Sequence, residues 1–468
     1  MTFEQEQEFE RLRTENAELR QTLAASQAQV AQVTKQLSVA LGRIAEFEAQ
    51  ANERGGPPAF VKANRKKAEG KPQPRKKRAG EHNTSRKRMA ATRIERHALE
   101  RCPDCDYRLS GESVDYTREV VELPAPQALE VTEHQVVKRW CPQCEKWHSP
   151  PLDLSGQVFG QGRIGVRIAS LVTYLRTRLR LPVRQVQKYL ATLHELHLSI
   201  GEIVELTHAV RQQLQPQADQ LRAQAQASPV VHADETGWRE NGQNGYVWTV
   251  VTPGPEAVRY YEYAASRSHH VILRLLGDRF RGVLVSDFYG AYNLVPGRHQ
   301  RCWVHLLRDL HALKEENPAM PVVLAWALEV RQLYDEANVW LDRHATATPE
   351  ERRHLYLSLY QRACELGGRH ARDASHPCKV LAKRLLRHQD ESFQFVLVPG
   401  LAADNNLAER SIRPLVIMRK ISGGTRSDEG SKTRLTLASL LGTWAARHLN
   451  PFLECLAALQ PPAATAPA

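Results

Sequence analysis

Acidic residues in the second half of the chain have the types and spacing that metal-dependent chemistry requires. Asp234 and Asp287 each end a short apolar run typical of a β-strand, and Glu409 follows Asn405 and Asn406, either of which can cap a new helix. Three carboxylates that converge can hold two divalent cations, which activate an attacking oxygen and stabilise the leaving oxygen at a phosphodiester. Mg²⁺ suits such hard oxygen ligands, with Mn²⁺ as the alternative. These three residues are the candidates for a catalytic metal site.

Two further carboxylates lie beside these candidates in the sequence. Glu235 is expected to point to the opposite face of the strand from Asp234, because successive side chains of a strand alternate. Asp404 is expected to precede the helix that carries Glu409. Neither is predicted to hold the metal ions.

Four cysteines have the spacing of a zinc site. They form two CPxC pairs, Cys102 with Cys105 and Cys141 with Cys144, and the segment between the pairs contains strand-like stretches. A two-residue gap lets both thiolates of a pair turn toward one ion, and two pairs complete a closed, structural, tetrahedral Zn²⁺ site. His148 could replace one thiolate, and two unrelated buried cysteine pairs are the alternative. Eight cysteines in 468 residues are too few for a disulfide scaffold.

The pattern from Pro229 onward predicts the layout of a ribonuclease H-like domain. Three antiparallel strands, a helix and a fully apolar fourth strand follow one another, with an Asp on the first strand and another ending the fourth. Helical periodicity then extends from Trp303 to about His388 and resumes near Asn406. The predicted elements are strands 230–234, 246–251, 257–263 and 282–287, and a helix over 268–276.

Helical patterns also precede this domain. Residues 183–193 have helical period, a break follows at 195–198, and Ser199 is a plausible N-cap for the next helix. Two helices joined by a tight turn suit a helix-turn-helix, whose second helix could enter the major groove of DNA. A helix pair that serves only in packing is the alternative.

The N-terminal residues 3–50 predict a coiled coil. Apolar residues recur at alternating steps of three and four, and Asn16 falls on an a position, where a buried amide favours a dimer. We therefore expect a homodimer or higher oligomer through this segment. The alternative is a single helix that folds onto its own protein.

A short basic segment holds nearly all of the chain's excess charge. The chain has 64 Lys and Arg against 52 Asp and Glu, and residues 62–88 contain twelve Lys or Arg against two Glu. Such a segment predicts a disordered linker that binds a polyanion such as nucleic acid, although it could be a solubilising spacer. The DNA-binding candidates in it are Lys66, Lys67, Arg75, Lys76, Lys77 and Arg78.

Membrane and secreted classes are disfavoured by the composition. No run of 18 apolar residues exists to span a bilayer, and the first residues lack the apolar core of a secretory signal. We expect a cytoplasmic protein.

Five ordered motifs, together with the coiled-coil pattern, the basic segment and the CPxC pairs, resemble the transposases of insertion-sequence family 66. The resemblance covers nearly the whole chain. The motifs are HADETGW (232–238), SDFYGAY (286–292), CWVHLLRD (302–309), NNLAERSIRP (405–414) and RKISGGTRS (419–427).

The resemblance implies a DDE-type transposase that cuts the ends of its element and joins the freed 3′-hydroxyl to target DNA. It also implies a bacterial, nucleoid-associated location. It implies Asp234, Asp287 and Glu409 as the catalytic triad and double-stranded DNA as partner, with accessory proteins of the same element as a further open point. Additional DNA-contacting candidates are His305, Arg308, Arg413 and Lys420. A catalytically inactive DNA-binding protein or regulator is the rival interpretation.

The predicted architecture is a multidomain α/β chain, with each segment assigned one role. These are a coiled coil (1–53), a basic disordered linker (54–96), a zinc-binding domain (97–150), a helix-turn-helix-like DNA-binding segment (151–226), the first part of a ribonuclease H-like catalytic domain (227–302), an all-helical insertion (303–400), the second part of the catalytic domain with Glu409 (401–460) and a tail (461–468).

Overall fold

The structure, a computed structural model, describes residues 90–121, 129–159 and 162–460 and three single helical residues, Arg11, Gln27 and Gln32. The predicted coiled coil lies outside the described residues except for those three, as do most of the basic linker and the tail. Contacts divide the chain into two units, Met1–Val121 and Glu122–Ala468, which are described separately.

Twenty α-helices and β-strands, together with a 3₁₀-helix (Gly290–Leu294), build the described part of the second unit. The strands are β1 (Arg139–Cys141), β2 (Lys146–His148), β3 (Val230–Glu240), β4 (Gln243–Val251), β5 (Arg259–Ala264), β6 (Val283–Ser286) and β7 (Arg298–Arg301). The helices are α1 (Val166–Thr177), α2 (Val183–His194), α3 (Ile200–Ala227), α4 (His269–Leu276), α5 (Trp303–Glu316), α6 (Pro321–Arg343), α7 (Pro349–His370), α8 (Lys379–Arg387), α9 (Gln389–Ser392), α10 (Gln394–Leu397), α11 (Asn406–Ser422), α12 (Asp428–Ala446) and α13 (Pro451–Leu459).

Five strands form one mixed sheet in the order β5-β4-β3-β6-β7. β3, β4 and β5 pair antiparallel, whereas β6 lies parallel to β3 and β7 parallel to β6. The four strands and the helix predicted from Pro229 onward are all present, and β7 is an additional strand that the apolar pattern did not reveal. β3 is central, so the residues on it lie in the middle of the sheet.

The hairpin between β3 and β4 follows from two residues with left-handed backbone. Asn241 and Gly242 have φ angles of 49° and 79°, as a type I′ turn requires at both central positions. This turn matches the right-handed twist of the strands, so β3 continues to Glu240 and β4 begins at Gln243. Both strands are longer than the apolar runs alone suggested.

Helices cover both faces of the sheet, because strand side chains alternate between two apolar layers. Leu284 of β6 packs with helices α1, α3, α4, α12 and α13, while its neighbours Val283 and Val285 pack with α5 to α8. On that second face α11 lies over β3 and β4, where Leu415 and Met418 contact Trp238 and Val247. The predicted all-helical segment 303–400 therefore shares its core with the sheet.

The helix pair before the sheet has the predicted boundaries. Ser199 caps α3 through a capping box, in which its hydroxyl accepts from the Glu202 N–H and the Glu202 carboxylate accepts from the Ser199 N–H. α3 has 28 residues, and its second half packs into the core under the sheet through Leu214, Ala218 and Leu221. No helix in the described part of the chain is long and apolar enough to cross a membrane.

Candidate functional site

Asp234 and Asp287 lie side by side on neighbouring parallel strands. The register pairs Val230 with Val283 and His232 with Val285. Continuing that register by two residues brings Asp287, which directly follows β6, level with Asp234. Each Asp accepts a backbone N–H through Oδ1 at 2.9 Å, from Glu235 and Tyr289 respectively.

Glu409 reaches the same place from the first turn of α11. The start of this helix is tied to β3 by Asn405, whose Nδ2 donates to the Ala233 carbonyl at 2.8 Å. The Oδ1 of Asn405 lies 3.3 Å from Nδ1 of His232. Burial lowers the pKa of His232 to about 4, so the ring is neutral and can donate to Asn405. The helix that carries Glu409 is thereby fixed next to Asp234.

The helix cap differs from the predicted one. Asn405 occupies the N-cap position, but its side chain makes no capping bond because it is bound to β3. Asp404 supplies the bond instead, since its Oδ1 accepts the Asn406 N–H at 3.0 Å. Asp404 does precede the helix as expected, and it has a structural role there.

The charge of Asp234 is affected by the carboxylates around it. Burial and the nearby carboxylates of Glu235, Asp287 and Glu409 together raise the pKa of Asp234 to about 7. The Oε1 atom of Glu409 is buried and has no hydrogen-bond partner within the described residues. A divalent cation can stabilise such a group of neighbouring carboxylates, because it offsets their mutual repulsion.

Glu235 has a larger role than the sequence indicated. Its side chain is only 2% exposed, and it accepts hydrogen bonds from Arg267 at 2.6 and 2.9 Å and from the Tyr292 hydroxyl. The Arg267 guanidinium lies over the Tyr289 ring, 4.0 Å from its centroid. Glu235 is thus a buried ion-pair residue adjacent to Asp234.

Arg301 supports Asp287 from β7 and was not identified from the sequence. It is 1% exposed, and its Nη1 donates to the Asp287 carbonyl at 2.9 Å. Its Nε donates to Glu391 at 2.5 Å. Although burial raises the pKa of Glu391, hydrogen bonds from His388 and Arg301 lower it to about 2. The backbone at Asp287 is therefore held by a buried ion pair.

The predicted DNA-contacting residues fall into three groups. The basic candidates between 66 and 78 lie outside the described residues. Arg308, Arg413 and Lys420 are exposed on α5 and α11. His305 instead faces the carboxylate site, with Nδ1 3.7 Å from Oε1 of Glu409.

Helix α11 contains a proline. The residue before a proline, here Arg413, is disfavoured in a helix, but α11 continues through Pro414. The packing of Leu415 and Met418 against the sheet offsets the lost backbone hydrogen bond.

The two CPxC pairs have the same local geometry in their separate units. The residue after the second cysteine is left-handed in both, with φ of 57° at Asp106 and 49° at Glu145. Backbone N–H groups lower the pKa of Cys102 in one pair and of Cys141 in the other. Such turns aim backbone donors at sulfur, which favours the thiolate form that Zn²⁺ requires.

His148 lies beside the second cysteine pair. Its Nε2 atom is 3.8 Å from the Cys144 sulfur, which is in turn 3.1 Å from the Cys141 sulfur. All three ligand atoms lie within 4.8 Å of one another. The alternative in which His148 replaces a thiolate therefore stays open.

Elemental analysis is expected to find about one zinc ion per chain, because four thiolates close a single site. Cys105→Ser and Cys144→Ser should each release the ion and unfold the surrounding segment, since binding energy is also folding energy there. His148→Gln is the matched variant and should keep the ion. Zinc retained in both cysteine variants but lost from His148→Gln would contradict the four-cysteine assignment.

Comparison with known proteins gives relatives of this chain. Two proteins of Sinorhizobium fredii (strain NBRC 101917 / NGR234) are similar to it, each named only as an uncharacterized protein. One, y4qI, is 29% identical over 41% of this chain and 38% of its own length. The other, y4jO, is 31% identical over 36% of this chain and 49% of its own length. The chain thus spans less than half of either relative.

A solved structure also matches, the simian T-cell lymphotropic virus intasome in complex with the PP2A regulatory subunit B56 gamma. Its TM-score is 0.14 at 11% identity, over 34% of this chain and 66% of that chain. A likeness at this TM-score supports no inference about fold.

Family models match two regions of the chain. Residues 100–145, which include all four CPxC cysteines, match the zinc-finger binding domain of transposase IS66, and this match supports a structural Zn²⁺. Residues 161–433, more than half of the chain and including Asp234, Asp287 and Glu409, match the transposase IS66 family. The chain belongs to the IS66 transposase family.

Proposed function

We propose that this chain is a DDE-type DNA transposase whose triad is Asp234, Asp287 and Glu409. The observation that carries the proposal is the convergence of these three carboxylates, because the strand register brings Asp287 level with Asp234 and Asn405 ties the start of the helix with Glu409 to β3. The proposed reaction is hydrolysis of a phosphodiester at each element end. The freed 3′-hydroxyl then attacks a target phosphodiester, and the target 3′-oxygen leaves.

The sheet supports a ribonuclease H-like assignment for the catalytic domain. The order β5-β4-β3-β6-β7 has an antiparallel meander on one side and two parallel strands on the other. One Asp lies on the central strand and the other directly follows its parallel neighbour. Helices α5 to α10 occupy the chain between that second Asp and the Glu.

The residues at the site fit divalent metal ions. The donors are carboxylate oxygens, which Mg²⁺ and Mn²⁺ prefer, and Glu409 has a buried oxygen without a protein partner. Asp234, Asp287 and Glu409 would hold the ions. When bound, two such ions activate the attacking oxygen and stabilise the leaving one.

The protein's own contribution is to orient these carboxylates and to place positive charge for the phosphate. Asn405 and Arg301 fix the backbone beside Asp234 and at Asp287. The N-termini of α5 and α11 both lie at the site, and their dipoles favour anions. Arg308 and Arg413, exposed on these helices, are placed to bind DNA backbone outside the metal site.

The remaining modules supply DNA recognition and assembly in this proposal. The basic linker provides sequence-independent affinity, while the zinc-binding domain and the α2–α3 pair read the element ends. The coiled coil makes a dimer or higher oligomer, and accessory proteins of the element are further partners. The proposed place of action is bacterial DNA in the nucleoid.

Metal dependence distinguishes this proposal from the rival, a DNA-binding protein without catalysis. We expect cleavage of a duplex carrying the element's end to require Mg²⁺ or Mn²⁺. A protein that binds this duplex but never cleaves it at any metal concentration would favour the rival. The inverted repeats that flank the reading frame would supply the substrate.

The Mg²⁺ requirement is expected to depend on pH. Asp234 has a pKa of about 7 without metal, so below that pH a proton must leave before an ion binds. The Mg²⁺ concentration for half-maximal cleavage should therefore fall as pH rises toward about 8 and then level off.

The raised pKa of Asp234 also means that the metal-free protein loses folding stability as pH rises from about 4 through 7. Thermal unfolding of the metal-free protein checks that sign, and Asp234→Asn should remove the trend.

Asn405→Ala is expected to act through the position of Glu409. The change leaves the Ala233 carbonyl and His232 without their partner, which should cost about 1–3 kcal/mol of stability. It should also weaken Mg²⁺ binding by about 10–100-fold, as loss of a ligand-orienting contact does. Calorimetric Mg²⁺ titration measures the effect, with Asn406→Ala as the matched control. Equal Mg²⁺ affinity in the two variants would contradict the positioning role.

A further inference from the structure

A second set of metal-ligating side chains meets at Glu409. Cys302 directly precedes α5, His305 lies in its first turn, and Glu409 lies in the first turn of α11. Their ligand atoms all lie within 4.8 Å of one another. Residues three apart on a helix are neighbours on one face, so Cys302 and His305 approach Glu409 from the same side.

Two of the three ligand atoms in this cluster lack a hydrogen-bond partner among the described residues. Nδ1 of His305 and Oε1 of Glu409 are both buried and without a hydrogen bond to any described residue. They lie 3.7 Å apart, too far for a hydrogen bond to each other. Two buried polar atoms that face each other unpaired are expected where an ion sits between them.

The sulfur of Cys302 is placed like a metal ligand. The residue is fully buried, and its Sγ accepts the backbone N–H of Asn405 at 3.2 Å. A thiol, an imidazole and a carboxylate together select Zn²⁺ over Mg²⁺. Around one Zn²⁺ such atoms lie roughly 3.3–3.8 Å apart, so a small closing movement of these side chains would complete the site.

We propose that Cys302, His305 and Glu409 bind Zn²⁺ or a similar thiophilic divalent cation, and that this ion takes Glu409 away from the Mg²⁺ reaction. Binding replaces the S–H bond of Cys302 with a sulfur–metal bond and releases the proton to solvent. Three protein ligands leave a fourth position for water. The metal site stands on its own geometry, whereas the inhibitory effect rests on the proposed function.

Cobalt titration of the full-length protein, with its zinc finger loaded with zinc, tests the site. Co²⁺ bound by a thiolate produces a charge-transfer absorption in the near ultraviolet, and a zinc indicator in solution reports any zinc displaced from the finger. We expect this absorption in the wild type and in Cys455→Ser, a buried cysteine elsewhere in the core. It should be absent from Cys302→Ser and require more than about tenfold more Co²⁺ in His305→Gln.

Two results would overturn the site. One is absorption of equal strength in Cys302→Ser and wild type. The other is that the wild type shows no absorption, or absorbs only when zinc has been displaced from the finger. His305→Gln keeps Cys302 in place, so it tests the site even if Cys302→Ser fails to fold.

A second measurement tests the inhibition. Zn²⁺ added at fixed Mg²⁺ should inhibit cleavage by the wild type, and His305→Gln should need more than about tenfold more Zn²⁺ for the same fractional inhibition. Each protein is compared with its own zinc-free activity. Equal zinc sensitivity would overturn the inhibitory role. If the wild type shows the cobalt absorption and Glu409→Gln still cleaves DNA, the proposed triad is refuted and the zinc site is kept. If the wild type shows no such absorption and Glu409→Gln does not cleave DNA, the zinc site is refuted and the triad is kept.

Discussion

Glu409→Gln and Asp287→Asn are each expected to abolish cleavage and strand transfer on a duplex that carries the element's end. The loss should be about 10³-fold or more, because preorganised charge of this kind supplies several kcal/mol to the transition state. An amide keeps nearly the same shape but removes the charge that binds the metal ions. DNA affinity should be kept or slightly raised, since the anionic cluster repels phosphate when no metal is bound. Cleavage of labelled duplex and gel-shift binding measure the two effects.

Glu256→Gln is the matched control for these variants. Its side chain is 90% exposed, so it should retain wild-type activity. Glu235→Gln cannot serve as an inert control, because Glu235 is buried against Arg267 and Tyr292 beside the site. The salt dependence of DNA binding should be unchanged in all variants, since it counts phosphate contacts made by Lys and Arg. An active Glu409→Gln protein would refute this triad.

Arg301→Met is expected to lose more folding stability than Asn405→Ala or Arg331→Met. The change removes the guanidinium from Glu391, which keeps its contact with His388, and breaking a buried ion pair costs about 3–5 kcal/mol. The lower end applies here because the Glu391 side chain stays 27% exposed. Urea unfolding measures the loss.

Arg331→Met is the matched control, because it breaks an arginine–carboxylate pair on the surface. The Arg331–Asp335 pair is about half exposed on both sides, so its loss should cost less than about 1 kcal/mol.

The stability that the Glu391 ion pair contributes should depend on pH. The pKa of Glu391 is lowered to about 2, so this stability is fully present above the ordinary pKa of the group and is lost as pH falls from about 4.5 toward 2. Wild type and Arg301→Met should therefore converge in acid. Equal stability of the two proteins at neutral pH would contradict the role of this pair.

The sequence predicted the helices and strands whose buried residues recur with a regular local spacing. The strand before Asp287 and the cap at Ser199 are present with nearly the predicted limits, whereas the strand that carries Asp234 begins as predicted but continues to Glu240. β7 was missed because its sequence, RHQR, has no apolar alternation. Its Gln300 and Arg301 are buried by hydrogen bonds to Ser392 and Glu391, about ninety residues later in the chain. No local pattern signals such partners.

The supporting contacts of the site were unpredictable for the same reason. Asn405 or Asn406 was expected to cap the helix, and the actual bond from Asn405 to Ala233 depends on where α11 docks on the sheet. Alternation placed Glu235 on the opposite face from Asp234, but helices cover both faces, so that position is buried rather than solvated. Sequence spacing thus indicated the reacting carboxylates, while their orientation depends on tertiary contacts.

The backbone hydrogen bond from the Trp303 N–H to the Ala403 carbonyl, 3.0 Å long, closes the helical insertion at its base. The Asn405 N–H donates to the Cys302 sulfur in the same junction. The roughly hundred residues between therefore form a loop with joined ends, and the entropy of closing a loop rises by only about 0.6 kcal/mol per doubling of its length. Evolution can accordingly lengthen or shorten the outer helices, or graft a new module onto them, without displacing Glu409, provided that the closed base and the side chains packed on β6 are kept.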